Sequence, residues 1–209
     1  MKLLIIGATG PTGRELVNQA LAQGHTHLFF VDADMGSRPS AVMRMLAAEK
    51  PVIGAIAVKK KLDLLAILDD AKKADTQDPA WKRKVISRRM LFSGDPLDSV
   101  SVQNGLARFK AIGMAVTLIE TAVLRRMVEQ VRLEPMVTFF ETQDFPVYGF
   151  FNRTTDPAGH LMAEDYSFCA RWRACGGDIW VLLDEAILHV GTYLYGGSYL
   201  DTLPDHAKK

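Results

Sequence analysis

Cysteine is scarce in this chain: Cys169 and Cys175 are the only two among 209 residues. A disulfide framework needs more, and the pair, close together in a helical pattern, reads as reduced core or surface residues. A dominant charge is missing too. Lysine and arginine total 25 against 24 acidic residues, so the chain as a whole offers no electrostatic footprint for nucleic acid or an anionic membrane. Small molecules or proteins are the expected partners, with the oligomeric state left open. No run approaches the ~20 apolar residues of a membrane span. The amino terminus has one basic residue and an apolar run that passes straight into a glycine turn, which is unlike a secretory signal. A cytoplasmic location is expected. What is present is an ordinary 48% of hydrophobic residues, enough for a real core in one domain spanning residues 1–209.

The stretch Leu28-Phe29-Phe30-Val31-Asp32-Ala33-Asp34-Met35 organises that domain. Four consecutive large apolar residues read as a short strand covered on both faces, as in a parallel sheet. Asp32 and Asp34 then sit at its carboxyl end, the edge where open α/β sheets bind ligands. An Asp-x-Asp pair there offers hard oxygen ligands to a divalent cation, Mn²⁺ or Mg²⁺, that can hold nucleotide phosphates. The alternative is a strand that merely exits into a polar loop.

Upstream, Lys2 to Ile6 form an apolar strand that runs into Gly7, Gly10 and Gly13, and a helical pattern follows through Leu16, Val17, Ala20 and Leu21. Glycines at that spacing let the backbone turn tightly and approach a phosphate at a helix amino terminus. Asp32 follows about 20 residues later, where a dinucleotide fold puts the acid that bonds a ribose hydroxyl. Asp32 thus fits two different sites. Over residues 1–25 the chain resembles NmrA-like and other atypical short-chain dehydrogenases, which implies NAD(P) bound through Gly7, Gly10, Gly13 and Asp32. No Tyr-x-x-x-Lys pair follows at a matching position, so the resemblance implies cofactor binding rather than reduction.

From His27 onward the resemblance changes. A helix is expected from Ser37 or Ser40 as cap to about Glu49, then a strand over Pro51 to Val58, a basic region from Lys59, Lys60 and Lys61, and a turn at Gly94-Asp95-Pro96. The lysine run follows a strand on the ligand side, where it could meet donor phosphates, but it reads first as a solvated surface. Asn104-Gly105 is a hairpin signal, and helices are expected over Glu120 to Gln130 and from Glu164 to Gly176-Gly177. The aromatics between Phe145 and Phe151 read either as core or as a sugar-site lining.

THLFFVDADM with RPSAVMRMLAAEKPVIGAI, GLARFKAIGMAVTLIETAVLRRM and EDYSFCARWRACGGDIWV together resemble bacterial glycosyltransferases of the GT-A fold over roughly residues 26–200. The resemblance implies a Rossmann-like, mostly parallel sheet with flanking helices, and transfer of a sugar from a nucleotide-sugar donor to an acceptor hydroxyl. It assigns the general base to Asp165 and an acceptor or structural contact to Glu164. It also adds His189, in a His-Val-Gly segment, to Asp32 and Asp34 as a metal ligand, although the glycine expected before that histidine is Leu188 here. A base is chemically required, because the acceptor hydroxyl must lose its proton as it attacks. The segment that holds the nucleotide in such enzymes is replaced by the dehydrogenase-like unit. The chain therefore reads as a hybrid, natural or constructed, with a scaffold lacking activity as a further alternative; residues 201–209 form a polar tail.

Overall fold

The computed structural model describes residues 3–6, 23–136 and 147–203. The glycines at 7, 10 and 13 and the residues at 137–146 lie outside them. The first strands are β1 (Leu3–Ile6), β2 (His27–Val31), β3 (Met35–Gly36), β4 (Val52–Gly54), β5 (Gly94–Pro96) and β6 (Leu106–Ile112). They are followed by β7 (Val116–Glu120), β8 (Pro135–Met136), β9 (Val147–Tyr148), β10 (Ile179–Leu182), β11 (Ile187–Val190) and β12 (Leu194–Gly197). The helices are α1 (Ser40–Ala47), α2 (Leu64–Lys72), α3 (Trp81–Arg89), α4 (Thr121–Gln130) and α5 (Glu164–Ala174), with a 3-10 turn at Tyr199–Thr202.

Period-two alternation builds the layers. In β2, Leu28 and Phe30 enter one apolar cluster while Phe29 enters another, and β4 divides Val52 from Ile53 in the same way. The larger cluster receives Val123, Leu124 and Met127 from α4 and Phe168, Cys169 and Trp172 from α5. The smaller one receives Met45 from α1. The sheet is thus covered on both faces at its centre, which is why β2, β4 and β10 are largely apolar. Phe150 and Phe151 are buried, and Phe151 stacks on Phe168 at 4.9 Å. They are core residues, not a sugar lining.

The sheet runs β1-β2-β7-β4-β10-β6-β5. The expectation of a mostly parallel sheet is overturned. Only β1/β2 and β4/β10 pair in parallel, whereas β2/β7, β4/β7, β6/β10 and β5/β6 are antiparallel. Continuous apolar strands report burial on two faces, not direction, and β6 and β7 are inserted between strands that run the opposite way. Register pairs Val31 with Val116 and Gly54 with Thr117, so the carboxyl ends of β2 and β4 meet the start of β7 at one edge. A side chain at Gly54 would lie 2.6 Å from Ile112 Cδ1 and 3.1 Å from the Val116 carbonyl oxygen. That glycine serves packing.

Two local expectations also change. Gly94-Asp95-Pro96 is edge strand β5 rather than a turn, since Gly94 and Asp95 pair with Ile112 and Ala111; proline is tolerated at such an edge. Pro39, not a serine, stands at the amino end of α1, with no side-chain cap. Asn104 and Gly105 do turn the chain, with φ of 53° and 74° and with Gln103 and Leu106 exchanging both backbone hydrogen bonds.

A buried ionic clamp joins the layers. Glu185, with a fully buried side chain, accepts from Arg38 Nε at 3.0 Å and Arg44 Nη1 at 3.0 Å. Arg44 also donates to Asp184 at 2.7 Å. The clamp fixes α1 against the turn between β10 and β11. Arg44→Met leaves the Glu185 carboxylate buried with only the exposed Arg38, and urea unfolding is expected to show a loss of about 3 kcal/mol.

Candidate functional site

The edge shared by β2, β4 and β7 opens into a cleft of about 390 Å³ lined by Asp32, Asp34, Lys60, Asp165 and His189, with Ser93 and Gly113. The backbone explains their convergence. Asp32 leaves β2 with its amide donating to the Ala115 carbonyl at 2.9 Å, and the Met35 amide closes a turn onto the Asp32 carbonyl at 3.0 Å. The chain then enters β3, which pairs antiparallel with β11 and sets Met35 opposite His189. The Val190 amide donates to the Asp34 carbonyl at 2.8 Å. Side chains 155 residues apart are thereby held together.

Leu188, where the resemblance implies glycine, fits by the same ladder. Its side chain fills space left at Gly36 and Gly196, where added methyl groups would meet it at 3.3 and 2.6 Å.

His189 Nδ1 lies 2.6 Å from the Val58 carbonyl oxygen. A carbonyl only accepts, so Nδ1 donates and Nε2 is the nitrogen that faces Asp34 Oδ2 at 3.3 Å. Metal-binding histidines are oriented by this kind of second contact. The same Asp34 oxygen takes Lys60 Nζ at 2.6 Å. The hydrogen bond from Lys60 is the largest cause holding the Asp34 carboxyl below its ordinary range. Asp32 moves the other way: burial, then the neighbouring Asp34 charge, raise its carboxyl. Two acids one residue apart thus have opposed environments. Among the described residues no three His, Cys, Asp or Glu side chains are gathered closely enough to hold a metal ion. The donors line one cleft, and Lys60 is the cation beside Asp34.

No family model matches the sequence, and no curated protein matches it. Among solved structures, the crystal structure of A197 from STIV matches with a TM-score of 0.45 and 12% identity, over 95% of this chain and 91% of that one.

Asp165 closes the cleft from the first turn of α5. Its Oδ2 accepts from the Met114 amide at 3.2 Å, while Oδ1 is buried with no hydrogen-bond partner among the described residues. Burial pushes this carboxyl up to about 6, and the charges of Glu164 and Asp32 push the same way; the Met114 bond opposes them and loses. Neighbouring Glu164 instead pairs with Arg153 at 3.2 Å. One acid of the pair faces the cleft and the other joins an ion pair. Helix α5 is held by Ser167, whose hydroxyl accepts from the Thr154 amide at 3.0 Å and donates to the Ala163 carbonyl at 2.9 Å.

Glu185 is the residue that sequence reasoning misses, and Lys60 is one that it weighs only as part of the lysine run. Three lysines a few residues beyond β4 are the signal for Lys60, since the carboxyl end of a strand is where a ligand edge begins. Glu185 gives no local signal, because its partners lie more than 140 residues away.

Proposed function

We propose that the chain transfers a sugar from a nucleotide-sugar donor to an acceptor hydroxyl. The observation that carries this reading is the single cleft that presents Asp32, Asp34 and His189 opposite Asp165, whose carboxyl is pushed up to about 6. A base of that strength is roughly nine-tenths ionised at neutral pH and still takes a proton readily. Asp165 removes the acceptor's proton as the hydroxyl oxygen bonds to the anomeric carbon, and the electron pair of the breaking C–O bond leaves with the diphosphate. The carboxylates and the oriented imidazole have the donor chemistry of a divalent-cation site. Asp32, Asp34 and His189 would have to draw closer together than they stand here to hold Mn²⁺ or Mg²⁺, and the ion would then supply positive charge for the departing diphosphate. Lys60, exchanging Asp34 for a phosphate oxygen, adds positive charge from the chain itself. Glu164 acts on the acceptor side through its pairing with Arg153.

Thermal shift of the full chain with Mn²⁺ and a panel of nucleoside diphosphates, against NADPH, tests the reading. Stabilisation by Mn²⁺ with a diphosphate is expected, and its loss in Asp34→Ala. Stabilisation by NADPH alone would replace this proposal with the dinucleotide reading of Gly7, Gly10, Gly13 and Asp32. No shift from either leaves a folded scaffold.

A further inference from the structure

The near-zero total charge conceals a strong local imbalance. Ten of the 25 basic residues but only five of the 24 acidic ones fall within residues 59–89. This segment carries +5 and the rest of the chain −4. It comprises the lysine run, α2 and α3, and the two helices are tied by a bidentate Arg89–Asp70 pair at 2.6 and 2.7 Å. Helix α3 is anchored by buried Val85 and by Arg83 to Asp201 at 3.4 Å. Helix α2 rides outside it and buries none of its residues.

That outer helix is apolar where it should be polar. Leu64, Leu65 and Leu68 are 64%, 77% and 57% exposed, and their spacing puts them on one face. Lys72 continues the Leu65–Leu68 stripe by another turn. Exposed Ile86 and Leu91 add apolar surface on the following segment. Lys59, Lys61, Lys73, Lys82 and Arg88 form no ion pair with any described residue. Cations outside any ion pair, on the segment that carries the exposed leucine face, match a surface with negative headgroups over an apolar interior. A nucleic acid would use the cations and leave the leucines in water.

We propose that α2 and its basic surroundings dock this protein on an anionic phospholipid bilayer, with Leu64, Leu65 and Leu68 entering the headgroup boundary. The docking segment begins at Lys59 and Lys60, which line the cleft, so the cleft mouth is continuous with the docked face. The inference does not depend on sugar transfer.

Co-sedimentation of the full chain with phosphatidylcholine vesicles containing about one-third phosphatidylglycerol, against pure phosphatidylcholine, tests it. Binding to the anionic vesicles alone is expected, weakening as salt is raised. A Leu65→Asp/Leu68→Asp double variant should lose at least about tenfold in partitioning, and Lys61→Glu/Lys82→Glu should reduce binding and flatten its salt dependence. These positions are exposed, and an unchanged unfolding temperature confirms that each variant is folded. Full retention by the leucine variant, equal binding to neutral vesicles, or no vesicle binding overturns the proposal. So does self-association or RNA binding that the leucine variant abolishes without any vesicle binding.

Discussion

Asp165→Asn is expected to cut sugar transfer roughly a thousandfold and, at neutral pH, to raise the stability of the fold. The activity loss follows from the proposed base role, since an amide takes no proton from the acceptor. The stability gain has a separate origin. The Asp165 carboxyl is raised from 3.8 to about 6, so the folded chain binds a proton that the unfolded chain releases. Native stability therefore declines as pH rises from about 4 to about 6, and the full penalty remains above that window. Asparagine removes it while still accepting from the Met114 amide. The gain should be about 3 kcal/mol at pH 7 and vanish below about pH 4, read by thermal unfolding across pH. In the wild type, transfer should climb through an apparent pKa near 6. A variant that loses activity without gaining stability would mean that Asp165 matters for packing, not proton transfer.

The second large effect concerns Asp34 and Lys60. Asp34→Asn should weaken Mn²⁺ binding by roughly a hundredfold, about 3 kcal/mol, because the asparagine keeps the shape but not the charge. Lys60→Met should do the reverse and tighten Mn²⁺ by roughly tenfold, since Lys60 Nζ sits 2.6 Å from the oxygen in question and must be displaced. Electron paramagnetic resonance of free Mn²⁺ reads both without an activity assay. Equal affinities in the wild type and both variants would remove Asp34 from the cation site.

These two expectations show where sequence was informative. Local signals located the elements: the apolar run ended at Asp32, Asn104-Gly105 turned the chain, and α5 opened at Glu164. Chemistry at a strand end singled out Asp32 and Asp34, and the glycosyltransferase resemblance added Asp165 and His189; all four line one cleft. Direction of pairing was not legible, because a strand buried on both faces looks alike whether its neighbours run with it or against it. Lys60 was passed over because a lysine run normally faces solvent; only the turn after β4 brings it to Asp34. The buried Glu185 needed partners from a distant helix. The total charge misled in a different way, since +1 is a sum over a basic projection and an acidic body.

Strand order also has a consequence for how the chain is made. The β1-β2-β7-β4 half and the β6-β5 half of the sheet are joined only by β10, the last of the sheet's seven described strands to leave the ribosome. Until Leu182 has emerged, the edges of β4 and β6 stay unpaired. Each is a template for wrong partners during that interval. Completion waits for a strand more than 60 residues beyond both of its neighbours, and loop closure over such distances is slow. Nascent chains ending before Ile179 should therefore be held by chaperones and cut by proteases, whereas chains extended past the β11–β12 hairpin should resist both.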